Sequence, residues 1–301
     1  MWRESARLGA LILALAAAGV APPCVAQPYV FLDRLPDWVA IEKNIPYDRY
    51  PDTVLDILRP KGASHGNRPG MLMIHGGGWV RQKKERVVAG FCLPYLERGF
   101  VVANVEYRLA QAAPAPAAVE DSLKAVAWFC RNAAKYGVDR RRIVITGESA
   151  GAHLALMAGM APKSAGFGSA PRVAAIVDVF GVTDVADQLA GPNARWYAAE
   201  WIPEQPGRME LARRLSPLNC VRKGLPPVLI IHGDADDAVP YDHSVRLAKA
   251  LREAGVDVEM ITVPAGKHGF TIPEWERLLP QTFEFLAKRG IRGTPPEHPP
   301  R

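Results

Sequence analysis

Short apolar runs rich in β-branched residues recur along the chain and set its organisation. They fall at residues 54–58, 71–74, 100–105, 143–146, 174–180, 228–231 and 258–263. Several are apolar at every position, the pattern of strands covered on both faces. Between them, residues 84–98, 117–136, 150–160, 242–254 and 274–289 carry helical patterns. Alternation of this kind predicts an α/β fold with a mostly parallel central sheet and helices on both faces. Gly137 and Gly255 follow two of the helical stretches as C-terminal caps.

Two segments break the alternation. Residues 184–217 lack clean periodicity and set Trp196, Tyr197 and Trp201 among prolines and glycines, which predicts a small lid-like insertion over one edge of the sheet. The plainer alternative is an irregular surface loop with a partly buried aromatic cluster. From Gly293 the chain reads GTPPEHPPR, a Pro-rich tail expected to be disordered. Residues 27–292 show no internal repeat and are expected to form one domain.

The N-terminus has the signature of a secretory signal. Arg3 and Arg7 precede an uncharged Leu/Ala stretch at residues 8–20, and Cys24-Val25-Ala26 precedes Gln27 as a cleavage site. The apolar stretch falls short of the roughly 20 residues a bilayer span needs. A lipid anchor on Cys24 is the weaker reading, because Pro22 and Pro23 stand directly before it. Residues 1–26 are thus expected to be a signal peptide and the protein to be secreted or periplasmic, with no stable membrane insertion.

Composition narrows the class. The chain has 301 residues, 49% hydrophobic and 23% charged, which argues against wholesale disorder. A mean hydropathy of −0.04 excludes a multi-span membrane protein. The net charge is +6, but the basic residues are scattered, and the densest run, Arg140-Arg141-Arg142, reads as a solvated loop before a strand. No nucleic-acid partner is therefore expected. Cys92, Cys130 and Cys220 are too few for a disulfide framework, though export leaves room for one bridge.

Four motifs carry chemistry, each at the end of a predicted strand. Gly147-Glu148-Ser149-Ala150-Gly151 is a GxSxG between a strand and a helical run, the context in which a sharp turn lifts a serine Oγ out of the sheet. His75-Gly76-Gly77-Gly78-Trp79 follows an earlier strand, and its consecutive glycines leave backbone N–H groups free to face an anion. A phosphate loop is disfavoured, because no GK[ST] or GxGxxG follows. The run His232-Gly233-Asp234-Ala235-Asp236-Asp237-Ala238-Val239-Pro240 offers three acids, of which the HGxxDxxVP spacing selects Asp236. Gly266-Lys267-His268-Gly269-Phe270 follows the last strand, and His268 completes the order Ser, Asp, His. His153, four residues after the serine, is expected to pack rather than act as a base. A metal site at His75, His232, Asp234 and Asp236 lacks the spacing such sites need, so no metal or organic cofactor is expected.

Together these motifs resemble the α/β-hydrolase superfamily, and within it the HGGG-type carboxylesterases. The chain most resembles the bifunctional feruloyl and acetyl-xylan esterases. The matching stretches are Val54-Leu55-Asp56-Ile57-Leu58, HGGGW at 75–79, Tyr107-Arg108-Leu109, PAAVED at 116–121 and KYGVDRRRI at 135–143. GESAGAHLA at 147–155, PPVLIIHGDADDAVP at 226–240 and AGKHGF at 265–270 continue the match. Two departures stand out: Glu148 precedes the serine where related lipase-like esterases carry aspartate, and Ala110-Gln111-Ala112-Ala113 interrupts the YRLAPE-type run.

The reading that follows is a secreted serine carboxylesterase with Ser149 as nucleophile, His268 as base and Asp236 as its orienting acid. Backbone N–H groups of Gly77, Gly78 and Ala150 are expected to form the oxyanion hole, and Trp79, Trp196 and Trp201 to contact substrate. The expected substrates are short-chain or compact aromatic esters, small or attached to a polysaccharide. The alternatives are a peptidase of the prolyl-oligopeptidase type, an arylformamidase-like amide hydrolase, and a binding protein that has lost catalysis.

Overall fold

The computed structural model describes residues 35–62 and 66–296. The expected signal segment, and the tail beyond residue 296, lie outside the described residues.

Eight strands form one twisted sheet: β1 (Val39–Pro46), β2 (Val54–Pro60), β3 (Arg68–Ile74), β4 (Val101–Val105), β5 (Val138–Glu148), β6 (Ala175–Val179), β7 (Val228–Gly233) and β8 (Val258–Val263). Their spatial order is β1-β2-β4-β3-β5-β6-β7-β8. β1 and β2 run antiparallel to their neighbours, and every pairing from β4 onward is parallel. The helices are α1 (Leu93–Leu96), α2 (Ala117–Asn132), α3 (Ala150–Met160), α4 (Trp196–Trp201), α5 (Arg208–Arg214), α6 (Asp242–Glu253) and α7 (Ile272–Lys288).

Alternate residues of the central strands feed two separate cores. Leu72, Ile74, Ala103, Val105, Ile145, Ile176 and Ile230 face the layer that holds α2, α3 and α6. Met71, Met73, Val102, Val144, Val177 and Ile231 face the layer built by α1 and α7. This two-sided burial explains why the strands read as unbroken apolar runs, since each position faces one core or the other.

The structure departs from the sequence pattern at three places. β1 gave no clear strand signal, because as an edge strand it keeps Glu42 and Lys43 toward solvent and bulges between Glu42 and Ile45. Residues 84–98 form no single helix. They divide into a 3-10 turn (Lys84–Val87), a π turn (Val88–Cys92) and α1. Pro94 supplies no N–H to continue the ladder, and Lys84 is drawn inward to an ion pair with the buried Asp56 at 3.3 Å. Finally, residues 293–294 pack on the body of the protein. A Cβ at Gly293 would strike the Arg98 carbonyl, and Arg68 Nη1 lies 3.4 Å from the Thr294 carbonyl.

Residues 184–217 hold a 3-10 turn (Gly191–Asn193), α4 and α5. The Ala115 N–H donates to the Trp201 carbonyl at 2.9 Å, and Arg195 donates to the carbonyls of Ala238 and Asp237. The insertion therefore spans from the loop after β4 to the loop after β7, above the carboxyl ends of the strands. An α/β sheet gathers its ligands at that edge.

Candidate active site

The turn from β5 into α3 holds Ser149 at φ 55°, ψ −123°, a conformation that costs a non-glycine residue about 1–3 kcal/mol. Its surroundings impose the strain. The Ser149 N–H donates to the Val179 carbonyl at 2.9 Å, and the Ser149 carbonyl receives the His153 N–H at 3.0 Å. Only glycine fits at 151, because a Cβ there would collide with the Ile74 carbonyl oxygen of the adjacent strand. The serine is thereby raised, half-buried, above the sheet edge.

Ser149 Oγ lies 2.9 Å from His268 Nε2, and His268 Nδ1 lies 2.8 Å from Asp236 Oδ2. The three predicted residues thus come from three different strand ends into one hydrogen-bonded row. The Asp236 side chain is fully buried. Its Oδ1 accepts the N–H groups of Ala238 (2.8 Å) and Val239 (2.9 Å). Its Oδ2 is shared with His232 Nε2 at 3.1 Å, while His232 Nδ1 sits 2.6 Å from Ser244 Oγ. Burial by itself would raise the Asp236 pKa, but hydrogen bonds from His232 and His268 outweigh it and hold the carboxyl well below the usual range. Neighbouring Asp234 does other work, its Oδ1 accepting the Ala265 N–H at 2.6 Å and tying the loop after β7 to the loop after β8.

Across the serine, Gly77 and Gly78 line a cleft of about 250 Å³ together with Ser149 and His268. Gly77 has φ 98° and stands where a Cβ would meet the Arg81 carbonyl. Ala150 begins α3, so its N–H is among those a helix leaves without an intrahelical acceptor. The loop is braced from below. Gly76 N–H donates to Glu148 Oε1 at 2.8 Å, and the Tyr107 hydroxyl lies 3.1 Å from the carbonyls of both His75 and Gly76. His75 stacks on the Tyr107 ring and reaches Glu106 Oε1 at 3.2 Å. Arg108 next anchors α2 through a two-pronged contact with buried Asp121, at 2.8 and 2.6 Å.

The predicted aromatic contacts need correction. Trp79 and Trp201 are fully buried and stack on each other at 4.2 Å between ring centroids. Trp79 Nε1 donates to His153 Nδ1 at 3.1 Å, and His153 Nε2 donates to the Leu215 carbonyl at 2.8 Å. Trp79 itself adopts a positive φ of 61°, and its ring packs on Trp201 of the insertion. Neither ring lines the cleft, so both seat the insertion on the glycine loop. Trp196, by contrast, is 59% exposed.

Tyr197, Arg81, Gln82, Arg86 and Glu148 complete the cleft wall. In the sequence, Tyr197 stands out only within the aromatic cluster of the insertion and Glu148 only as the residue before the serine. For the rest the one legible signal is position, since Arg81, Gln82 and Arg86 lie two, three and seven residues after HGGGW, just as Glu148 stands where related esterases carry aspartate. Cys92, Cys130 and Cys220 are all buried and unpaired, with burial raising each thiol pKa. Among the described residues no group of three or more His, Cys, Asp and Glu is placed to hold a metal ion. Nor is any helix among them long and apolar enough to cross a membrane.

The chain is similar to several known proteins. The chain matches the BD-FAE family over residues 55–251. It is 30% identical to the carboxylesterase NlhH of Mycobacterium tuberculosis, the match covering 79% of this chain and 77% of NlhH. Esterase LipC of the same organism is 28% identical across 79% of this chain, which spans 62% of LipC. The chain thus spans about three-fifths of LipC, and 58% of the related LipQ. Among solved structures, a truncated carbohydrate esterase from gut microbiota superposes with a TM-score of 0.72 at 30% identity, covering 82% of this chain and 96% of that one. An esterase from Thermogutta terrifontis, solved with butyrate bound, gives a TM-score of 0.70 at 25% identity over 83% of this chain and 95% of its own. The matched span and the fold lead to one assignment: this chain belongs to the BD-FAE family and has the α/β-hydrolase fold.

Proposed function

We propose that the protein hydrolyses carboxylic esters through an acyl-enzyme on Ser149. The observation that carries this reading is the row from Ser149 Oγ through His268 to the buried Asp236 carboxylate. Ser149 attacks the ester carbonyl while His268 Nε2 takes its proton and then delivers it to the departing alcohol. Asp236 fixes the tautomer that leaves Nε2 free to accept, and steadies the imidazolium that forms. The N–H groups of Gly77, Gly78 and Ala150 receive the oxyanion, one such donor typically lowering the barrier by about 3 kcal/mol. Water then enters through the same base and releases the acid. No metal or organic cofactor is called for in this sequence of steps.

The substrates we propose are short-chain or compact aromatic esters, including feruloyl or acetyl groups on plant polysaccharide. A cleft of about 250 Å³ supports this, lying below the roughly 300–1,000 Å³ usual for drug-sized ligands. Likeness to a carbohydrate esterase adds support for a sugar-linked ester. We also propose export to the periplasm or beyond, on the pattern of residues 1–26, with no nucleic-acid partner.

A panel of p-nitrophenyl esters from acetate to palmitate, run beside methyl ferulate and acetylated xylan, tests the substrate reading. The expected kcat/KM is highest between acetate and butyrate and falls steadily toward palmitate. A value that climbs through palmitate would overturn it.

A further inference from the structure

Among the described residues, the insertion at 184–217 reaches the cleft over Ser149 through one side chain, the half-buried Tyr197 of α4. The base of its ring rests on the glycine loop, where a Cβ at Gly78 would stand 2.8 Å from Tyr197 Cγ and 2.9 Å from Tyr197 Cβ. At the far end the hydroxyl donates to Gln188 Oε1 at 2.9 Å and lies 3.3 Å from the Ala238 carbonyl, in the loop after β7. Gln188 is itself fully buried, and its Nε2 donates to the same carbonyl at 3.3 Å. Burial pushes the phenol up to about 12, so the hydroxyl stays a donor and does not serve as a base. Tyr197 therefore spans from Gly78 to Ala238, both of which line the cleft.

A ring locked by packing at its base and by hydrogen bonds at its tip does not swing aside for substrate. Behind it stands Trp79, which is fully buried, lies outside the cleft wall and has its ring centroid 6.1 Å from that of Tyr197. Tyr197 thus separates the cleft from the apolar stack of Trp79 and Trp201. Resting on the esterase reading above, we infer that Tyr197 sets the size limit of the cleft, stopping the chain of an ester before it reaches that stack. Short esters fit in front of the ring, and a longer chain has to displace it. Removing the ring opens an apolar extension, and in such a pocket one methylene commonly changes the rate by about tenfold or more. The role is one of specificity, because the hydroxyl is committed to Gln188 and Ala238 and supplies nothing to the reacting atoms.

Chain length on each side of the ester tests the inference. The acyl pair is p-nitrophenyl octanoate against p-nitrophenyl acetate, and the alcohol pair is hexyl acetate against ethyl acetate, followed by acid release. Tyr197→Ala should raise the long-to-short ratio of kcat/KM by about tenfold or more in at least one pair, which identifies the side that the ring closes. Tyr197→Phe keeps the ring and loses the hydroxyl, and its ratios should stay within about threefold of wild type. Should Tyr197→Ala fail to fold by circular dichroism, Tyr197→Leu keeps part of the apolar packing and should give a smaller rise in the same pair. Ratios unmoved in the folded alanine or leucine variant, with the rate lost equally at every length, would make the ring a brace of the glycine loop and overturn the inference. A Tyr197→Phe that shifts as far as Tyr197→Ala would overturn it too. Failure of the wild-type protein to hydrolyse any of the four esters would instead overturn the esterase reading, and the size limit with it.

Discussion

Glu148 Oε1 accepts the Gly76 N–H at 2.8 Å, so the residue before the serine holds the start of the glycine loop. The departure from aspartate therefore has a geometric consequence, because the longer side chain reaches across the cleft floor from β5 to the end of β3. Glu148→Ala removes the brace and leaves the Gly76 N–H without its partner. Since a displacement near 1 Å in a positioning group can cost about 100-fold, kcat should fall by about that factor while KM moves little. Glu148→Gln, which keeps an acceptor oxygen, should restore most of the rate. Steady-state kinetics on p-nitrophenyl acetate distinguishes these outcomes, and equal rates for Glu148→Ala and wild type would remove the brace from the account.

Trp79 and Trp201 should matter to stability, whereas Trp196 should not. Both buried rings lie at the seat of the insertion, where truncating a tryptophan to alanine commonly costs about 3–5 kcal/mol. Trp196→Ala removes an exposed ring and should stay within about 0.5 kcal/mol of wild type. Urea unfolding of the three variants checks this. Similar midpoints for all three would mean the stacked pair does not seat the insertion.

Asp236→Asn should lower kcat by about 10⁴-fold, because an amide in that place favours the wrong His268 tautomer. Asp234→Asn should act mainly on stability, since its Oδ1 joins two loops through the Ala265 N–H. Asp237→Asn should do little. Equal kinetic losses in all three, at unchanged melting temperatures, would refute the choice of acid.

Much of this site was legible in the chain because its residues sit where strands end, and strands covered on both faces are the plainest pattern a sequence carries. GxSxG, HGGG and the acid run each follow such a strand, and the last histidine follows the edge strand β8, so chain order alone arranged them. The aromatic contacts were misread for a reason internal to the loop. Trp79 follows two glycines of positive φ and itself adopts φ 61°, and its ring is buried against Trp201, a packing no composition rule reports. Arg81 and Arg86 carry no signal beyond position in the sequence because charged residues after a motif usually face solvent, and the cleft they line also draws on Glu148, Tyr197 and Ala238, distant in the chain. β1 stayed hidden because an edge strand need not alternate cleanly.

Acidification should expose two opposed buried groups. Burial lowers the His153 pKa to about 4, with the Leu215 carbonyl offsetting part of this, so the unfolded chain binds the proton first as pH falls. Stability from His153 is therefore fully present above the unfolded value of about 6.5 and declines down to about pH 4. Burial raises Asp178 to about 6. There the folded state binds the proton first, and stability is gained as pH falls from about 6 toward the unfolded value of about 3.9. Asp178→Asn keeps an acceptor for the Gly181 N–H but removes this compensation. Between pH 7 and pH 5 it should lose on the order of 1 kcal/mol more than wild type in urea unfolding. Parallel losses in the two proteins would contradict the assignment.

The central claim is that Ser149 is the nucleophile, and covalent capture tests it most directly. Incubation with diethyl p-nitrophenyl phosphate, followed by intact-mass measurement and peptide mapping, should show one diethylphosphoryl group per chain. It should sit on the peptide containing Ser149, with p-nitrophenol released in equal amount and esterase activity lost in step. Ser149→Ala, folded by circular dichroism, should take up no label and retain less than about 10⁻³ of the wild-type rate. Labelling at another residue, or an unlabelled enzyme that keeps its activity, would contradict the account.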